Sequence, residues 1–348
     1  MQARLKGQTD ADESVRTALG FNPTMPVPEA VSTARKAEAA GYDSIWFHES
    51  LYQRDVVTYL SSILGATKRL KAASGVINTF TRNPVTAAAT FATLSELSGG
   101  RVTMGLGLGS FPTVPKIGYR IFPVAETRPL KRIGEYVSVA RMMWSGEKMS
   151  FRGEFYTAED LQLGFKLDFK VPLYVASLSE QTLRYAGANV DGAILSPALN
   201  TVETTRKMAS FVEEGERSRN RKVDKASYLV ASLDPNPAKA RDVVRGYYFF
   251  LYQLSEVIKV EALQSYGIRE ETLMPMKEAW KRGDIAEARR MVPEPAIDAL
   301  ALTGTPDEAK DRLAEYVRAG VDLPIIMPIG NVDYAIEAMA PGPSEAEV

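Results

Sequence analysis

The sequence predicts an α/β fold, a (β/α)8 TIM barrel with insertions. Eight short apolar runs alternate with helix-like segments along the 348 residues, and such alternation is typical of parallel sheets. Residues 71–84, KAASGVINTFTRNP, begin with small and apolar residues and end with polar ones. This order suits a strand buried on both faces whose carboxyl end faces a site. An open, doubly wound sheet is the alternative architecture.

The first half of the chain is predicted to supply four strand–helix units. The strands are Val15–Phe21, Asp43–His48, Leu70–Ile77 and the glycine-rich run RVTMGLGLGS at residues 101–110. The helices are Pro28–Ala40, Val56–Ala66, Pro84–Leu97 and Glu126–Ser145. Gly41 is a helix stop signal, and Pro84 suits a first helical turn because its missing N–H costs nothing there. Residues 111–125 are predicted to form a loop over the strand ends.

The second half is predicted to complete the barrel. Its strands are Val171–Ala176, Val190–Leu195, Ala226–Leu233 and Asp322–Met327. Its helices are Gln181–Ala186, Val202–Ser218, a segment from Thr305 to Gly320, and Val332–Ala340. Thr305 as N-cap, Pro306 at the first position and two acids behind them are strong helix-start signals.

The same pattern predicts one barrel domain over residues 15–340. Residues 148–169 are predicted to form a hairpin-like insertion, and residues 238–300 a helical insertion without strands. The polar residues 1–14 are predicted to be a mobile extension, and residues 341–348 a tail.

Composition excludes several classes of function. The 42 basic and 43 acidic residues nearly cancel, which predicts no nucleic-acid partner and no attraction to acidic membranes. With no Cys and a single His, thiolate chemistry is excluded and no metal site is predicted. No apolar run approaches the roughly 20 residues of a membrane span, so no membrane partner is predicted and the cytoplasm is the expected location.

Several strand ends carry candidate site residues. His48 and Glu49 end the second strand, where a His and a carboxylate are natural acid–base candidates. A structural role for His48 and a direct cofactor contact by Glu49 are the alternatives. The glycine run 105–110 could cradle a phosphate or simply be a tight strand exit. The basic residues nearby could bind an anionic group or form a solvated face; they are Arg82, Lys116, Arg120, Arg128, Lys131 and Arg132.

Two long segments resemble a known family. SGVINTFTRNP and FATLSELSGGRVTMGLGLG are similar to the luciferase-like superfamily of flavin- and deazaflavin-dependent barrels, and within it to the methylenetetrahydromethanopterin reductases. The resemblance implies coenzyme F-420 as cofactor, with FMN as the alternative used by other branches. It also implies a small-molecule substrate and a homodimer or homotetramer.

The resemblance implies specific site residues. A cis peptide bond is expected between Gly75 and Val76, behind the deazaflavin ring. The positions that match cofactor-contacting residues of the deazaflavin enzymes are Glu49, Gly75, Val76, Asn78, Leu108, Gly109, Thr113, Leu178, Ser179, Gln181 and Thr182.

The acid–base positions of the family are changed. The reductases carry a proton-transferring carboxylate in the first strand, where this chain has Gly20. The related sugar-phosphate dehydrogenases use a His and a Glu, where this chain has Ser50 and Ser110. Glu49 and His48 are therefore the predicted proton-transfer residues.

The predicted function is hydride transfer between coenzyme F-420 and a small organic substrate by an oxidoreductase. An FMN-dependent monooxygenase is the second hypothesis. A flavin- or deazaflavin-binding protein without turnover is the third, because the changed positions remove the family's usual acid–base residues.

Overall fold

A computed structural model describes residues 15–50, 52–109, 127–195 and 199–341. Its strands are β1 (Ala18–Phe21), β2 (Ser44–Phe47), β3 (Lys71–Ser74), β4 (Ile77–Asn78), β5 (Val102–Gly107), β6 (Met149–Arg152), β7 (Thr157–Leu161), β8 (Leu173–Ala176), β9 (Gly192–Ile194), β10 (Asp224–Leu233), β11 (Leu302–Gly304) and β12 (Leu323–Pro328). The parallel pairing order β9–β10–β12–β1–β2–β3–β5–β8 returns to β9, which closes the sheet. The predicted (β/α)8 barrel is confirmed, and the open-sheet alternative is wrong.

Helices cover the outside of the barrel. They are α1 (Val27–Ala39), α2 (Val56–Ala66), α3 (Pro84–Ser98), α4 (Pro129–Trp144), α5 (Glu180–Asn189), α6 (Val202–Arg219), α7 (Pro237–Gly246), α8 (Tyr248–Tyr252), α9 (Glu270–Lys281), α10 (Ile285–Arg290), α11 (Glu294–Leu300), α12 (Pro306–Arg318) and α13 (Val332–Ala338). A π-helical turn, Gln253–Val257, and a 3-10 helix, Val260–Tyr266, lie between α8 and α9. None of the helices in the described ranges is both long and apolar enough to cross a membrane.

Short polar side chains fix where the helices begin. Asp55 accepts a hydrogen bond from the Thr58 backbone N–H at the start of α2, and Asn83 caps α3 in the same way. Thr305 and Glu308 form a reciprocal capping box at the start of α12, as the sequence predicts. These caps satisfy backbone N–H groups that a helix end leaves without partners.

Two strand assignments differ from the sequence prediction. The predicted strand Leu70–Ile77 is two strands, β3 and β4, separated by Gly75 and Val76, and the peptide bond between these two residues is cis. The expected cis bond is therefore present. The sequence analysis also missed β11, which pairs with the last three residues of β10. A strand of three residues directly before a strong helix-start signal is too short to show the alternation of apolar and polar residues that predicts a strand.

The barrel interior is filled by alternating small and large side chains. The interior cluster consists of Ala18, Trp46, Ala73, Tyr174, Ala176, Ile194, Ala226, Tyr228, Leu323, Ile325 and Met327, and the partly buried Val76 and Tyr247 pack against it. Three aromatic rings thus occupy space that a barrel would otherwise fill with branched aliphatic residues.

Two further groups of elements lie outside the barrel. The antiparallel pair β6–β7 falls within the predicted 148–169 segment, and the buried Glu135 of α4 accepts hydrogen bonds from the backbone of Glu154 and Phe155. Helices α7–α11 enclose an apolar cluster that includes Val244, Phe250 and Leu273. The domain boundaries remain predictions, and residues 1–14 and 342–348 lie outside the described ranges.

Glycines allow α5 and α6 to pack closely. A Cβ on Gly215 of α6 would lie 2.0 Å from the Arg184 carbonyl oxygen of α5, and one on Gly187 would lie 2.0 Å from the Val212 oxygen. Since both obstructing atoms belong to the backbone, a side chain here forces the helices apart.

We expect Gly215→Ala to lower the free energy of unfolding by about 1–3 kcal/mol, the usual cost of overpacking. Gly65→Ala is the matched control, because Gly65 is an exposed residue of α2 with no atom near its missing Cβ. That change should raise stability by about 0.5–1 kcal/mol. Urea unfolding of the two variants measures both values, and equal effects would contradict the close-packing argument.

Candidate active site

Three glycines of one strand end face three residues of its neighbour. A Cβ on Gly105 would lie 2.0 Å from the Ser74 carbonyl oxygen, and one on Gly107 would lie 2.7 Å from Val76 Cγ2. At Gly109 the Cβ would lie 1.9 Å from Asn78 Nδ2, and the φ of Gly109 is +74°. The alternating glycines therefore let the chain from β5 lie against the chain from β3 to β4. Because the Gly105 N–H donates to Ser74 Oγ at 3.0 Å, it is not free to bind a phosphate.

Glu49 is held by its neighbours at the end of β2. One carboxylate oxygen accepts a hydrogen bond from the Asn78 N–H at 3.0 Å, and the other is bonded by Arg82 Nε. Arg82 also bonds Asp55, at 2.5 Å, and the Glu49 side chain is only 7% exposed. The carboxylate thus ties the end of β2 to the turn that follows β4.

Tyr228 of β10 fills the centre of the barrel below this end. Its hydroxyl donates to the Gly75 carbonyl oxygen at 3.2 Å. A Cβ on Gly20 would lie 2.6 Å from Tyr228 Cε1, and one on Gly75 would lie 1.8 Å from the hydroxyl oxygen. The Tyr228 side chain therefore excludes any side chain at Gly20.

His48 lies against the same tyrosine. The ring centroids of His48 and Tyr228 are 4.7 Å apart in an edge-to-face arrangement. The buried His48 Nε2 has no hydrogen-bond partner among the described residues. Burial lowers the pKa of His48 to about 4, so the imidazole is neutral at physiological pH.

The strand end at β8 leads into a helix with an open N-terminus. Ser179 occupies the N-cap position of α5 but makes no side-chain cap, and its N–H donates to Ser177 Oγ at 3.0 Å. Leu178 is 59% exposed, Gln181 is also exposed, and Thr182 is buried. The first turn of α5 therefore offers backbone N–H groups and a positive helix dipole to an anion.

The structure brings most of the predicted site residues to one end of the barrel. The ends of β2 to β4 carry five of them: Glu49, His48, Gly75, Val76 and Asn78. The two residues directly after β5 are Leu108 and Gly109. The segment from the end of β8 through the first turn of α5 carries Leu178, Ser179, Gln181 and Thr182. Thr113 and Ser110 fall outside the described residues.

The basic residues near this end are already engaged. Arg128 and Lys131 both pair with Glu154, and Arg82 pairs with Glu49 and Asp55. The Arg132 guanidinium lies between the Phe80 and Phe155 rings, 4.4 and 4.0 Å from their centroids. Lys116 and Arg120 fall outside the described residues. For the described basic residues, these contacts favour the hypothesis of a solvated face over that of an anion-binding site.

A cavity of about 1390 Å³ lies at the opposite, amino-terminal end of the barrel. Its charged walls are paired: Arg16 with Asp224, Lys71 with Asp43, and Lys225 with Asp322, each at 2.8 Å. A ligand there would have to break these pairs. The carboxyl ends of the strands, where barrel enzymes place their chemistry, are the better candidate.

Sequence reasoning missed three features of this end. The first is the hydrogen bond from Arg82 to Glu49. The second is the position of the Tyr228 ring between Gly20 and Gly75. The third is the hydrogen bond that Asn22 Nδ2 donates to the Tyr247 hydroxyl. Each feature joins residues far apart in the chain. The only local signal was the unusual glycine in the first strand.

We expect Glu49→Gln to lower the free energy of unfolding by about 1–3 kcal/mol, because the buried charge-assisted hydrogen bonds to Arg82 are lost. Glu154→Gln is the matched control, since its carboxylate is bonded by Arg128 and Lys131 but the side chain is 37% exposed. It should cost less than about 1 kcal/mol. Urea unfolding distinguishes the two, and a small effect of Glu49→Gln would show that Glu49 does not hold this strand end.

His48 should make stability depend on pH. The unfolded imidazole has a pKa of about 6.5, so between that pH and about 4 the unfolded chain binds the proton more readily. The free energy of unfolding should fall by up to about 3 kcal/mol as the pH falls through this window. His48→Gln should remove this contribution. Because His48 is the single His in the sequence, its ring-proton NMR signal is unambiguous, and a midpoint near 6.5 would contradict the buried, neutral state.

Comparison with known proteins agrees with the sequence and the fold. The family model described as luciferase-like monooxygenase matches residues 3–323. The 5,10-methylenetetrahydromethanopterin reductase of Archaeoglobus fulgidus is 28% identical over 314 residues, which cover 88% of this chain and 91% of that protein. The F-420-dependent glucose-6-phosphate dehydrogenase of Amycolatopsis mediterranei is 26% identical, with coverage of 84% and 86%.

A solved structure shares the architecture. The coenzyme F-420-dependent tetrahydromethanopterin reductase of Methanopyrus kandleri superposes with a TM-score of 0.84 at 22% identity, covering 94% of this chain and 97% of that one. At this identity the likeness establishes the fold alone. The family match extends over nearly all of the chain, and the resemblance inferred from the sequence is thereby confirmed: the chain belongs to the luciferase-like monooxygenase family.

Proposed function

We propose that this chain is a coenzyme F-420-dependent oxidoreductase that transfers a hydride between the deazaflavin and a small organic substrate. The observation that carries the proposal is the arrangement around Gly75 and Val76. These residues lie between β3 and β4 at the carboxyl end of the barrel, where the partly buried Val76 packs against the interior cluster. The relatives that depend on coenzyme F-420 support the choice of cofactor.

The residues at this end suit a planar ring with an anionic arm. Gly75 and Val76 would support the ring, and Glu49, Arg82 and Asn78 hold the adjoining turn in place through their hydrogen bonds. Leu108 and Gly109 would border the ring on the β5 side. Bound coenzyme F-420 would supply a hydride from its deazaflavin ring.

The open N-terminus of α5 suits the arm. Ser179 leaves the helix without a side-chain cap, so the first backbone N–H groups are available to the phosphate of the coenzyme. The exposed Leu178 offers apolar surface next to this turn, and Gln181 offers a polar side chain. Thr113 belongs to the proposed set by its position in the sequence.

The substrate is proposed to differ from that of the reductases. Gly20 stands where those enzymes carry a carboxylate, and the Tyr228 ring occupies the space that such a side chain needs. A reductase-like scaffold is thus combined with a different arrangement for proton transfer. The sequence predicts Glu49 and His48 for this step, but both Glu49 oxygens already accept hydrogen bonds and the His48 Nε2 is buried.

Titration with coenzyme F-420 and with FMN tests the proposal. We expect tight binding of coenzyme F-420, weaker binding of FMN, and oxidation of the reduced deazaflavin by an electrophile. Gln181→Glu should weaken coenzyme F-420 binding by about fivefold or more at low salt, because a negative charge is added beside the helix N-terminus. Gln162→Glu is the control, since it makes the same change at an exposed site of the hairpin segment.

Two outcomes would favour the other hypotheses. Tight FMN binding without coenzyme F-420 binding, together with oxygen consumption by the reduced flavin, would support an FMN-dependent monooxygenase. Tight cofactor binding without oxidation by any electrophile would support a binding protein without turnover.

A further inference from the structure

Tyr247 reaches the carboxyl end of the barrel from the helical segment. It lies between α7 and α8, and its hydroxyl is 3.2 Å from Asn22 Nδ2, which donates the hydrogen bond. Asn22 directly follows β1, so this contact is at the same end of the barrel as Glu49 and the Gly75–Val76 bond. The two residues are 225 positions apart in the chain.

The Tyr247 ring packs against two apolar clusters. One is the barrel interior cluster and the other is the cluster of the helical segment, which includes Val244 and Phe250. Val76 packs against the same interior cluster and is also partly buried. Tyr247 and Val76 are thus the two partly buried residues that pack against the interior cluster in the described part of the chain.

The hydroxyl of Tyr247 keeps a proton that it can donate. Asn22 supplies a hydrogen bond to the phenol oxygen, and no acceptor among the described residues receives the O–H. Burial raises the pKa of Tyr247, and this outweighs the lowering contribution of the Asn22 hydrogen bond. The phenol therefore keeps its proton at neutral pH.

The other titratable side chains at this end are less available. Both Glu49 oxygens accept hydrogen bonds within the Arg82–Asn78 network, and the Tyr228 hydroxyl donates to the Gly75 oxygen. His48 is neutral and its Nε2 is buried against the barrel interior. None of these groups offers a proton toward the open end as directly as Tyr247 does.

We propose that Tyr247 is a catalytic residue that donates a proton to the substrate, and that Asn22 is a positioning residue for its hydroxyl. The substrate class is a compound with a C=O or C=N bond. This inference rests on the proposed function: the reduced deazaflavin supplies a hydride to the carbon, and the electron pair of the double bond moves to the oxygen or nitrogen. That atom takes the Tyr247 proton, which gives an alcohol or amine, and water returns a proton to the phenolate.

A fluorine NMR experiment tests the contact without turnover. Protein labelled with 3-fluorotyrosine is titrated with acetone and with 1-pyrroline in the absence of cofactor, and the Tyr247→Phe spectrum assigns the Tyr247 signal. We expect both probes to shift that signal. The signal of Tyr252, a partly buried residue of the same segment assigned with Tyr252→Phe, should not move. A Tyr247 signal that neither probe shifts overturns the assignment.

A kinetic experiment tests the proton transfer. Oxidation of reduced coenzyme F-420 by acetone or 1-pyrroline should be about 10²–10⁴ times slower in Tyr247→Phe, the usual contribution of a general acid. Coenzyme F-420 affinity should be unchanged, and Tyr252→Phe should react at the wild-type rate. An unchanged rate in Tyr247→Phe overturns the proposal.

The Asn22 variants separate positioning from structural support. Asn22→Asp keeps the shape of the side chain but accepts the Tyr247 proton in a hydrogen bond, so it should reduce the rate as strongly as Tyr247→Phe. Asn22→Ala should reduce it only about fivefold to thirtyfold, as expected for one lost hydrogen bond. A purely structural role predicts the smaller effect for Asn22→Asp instead.

The two proposals fail in distinguishable ways. If the wild-type protein does not bind coenzyme F-420, the proposed function is wrong and the proton-donor role of Tyr247 fails with it, while the fluorine shifts still show whether Tyr247 contacts a C=O or C=N compound. If the coenzyme binds and is oxidised but Tyr247→Phe is fully active, only the assignment of Tyr247 is wrong.

Discussion

The close contact between two neighbouring strand ends determines the geometry of the candidate site. Gly105, Gly107 and Gly109 each leave the space that Ser74, Val76 and Asn78 occupy. Any side chain at these glycines would meet backbone or a buried group, so the strands could not approach. Because Asn78 also donates its N–H to Glu49, the same contact holds the end of β2. Backbone packing therefore determines where these strand-end residues lie.

A second constraint links the barrel interior to the chemistry. The Tyr228 ring needs both Gly20 and Gly75, since a Cβ at either position would overlap the ring or its hydroxyl. The glycine in β1 is therefore required by the packing of the Tyr228 ring in the barrel interior. Restoring an acid at residue 20 would require a smaller residue at 228, which would in turn remove the hydrogen bond to the Gly75 oxygen. The residue type at position 20 and the packing of the barrel are thus coupled.

The sequence predicted the eight barrel strands because each is a run of buried apolar residues, and helix-start signals such as Pro84 and Thr305 separate these runs from the helices. It missed β11, whose three residues carry no period. The strand-end residues could be predicted from local position and family resemblance, and the cis bond at Gly75 came from the resemblance alone. The partners of these residues could not be predicted. Glu49 meets Arg82 and Asn22 meets Tyr247 only because the barrel closes, and no local pattern records such contacts.

The barrel and the helical segment contribute different parts of the site. The residues proposed for the cofactor lie on strand ends and on the first turn of α5, which the sheet holds in place. Tyr247 instead belongs to a segment with its own apolar cluster, and it joins that cluster to the barrel interior. Substitutions in α7–α11 can therefore alter the surroundings of Tyr247 while the contacts of Gly105–Gly109 stay intact. The proposed proton donor therefore lies on a segment with its own apolar cluster, and the residues proposed for the cofactor lie on the barrel.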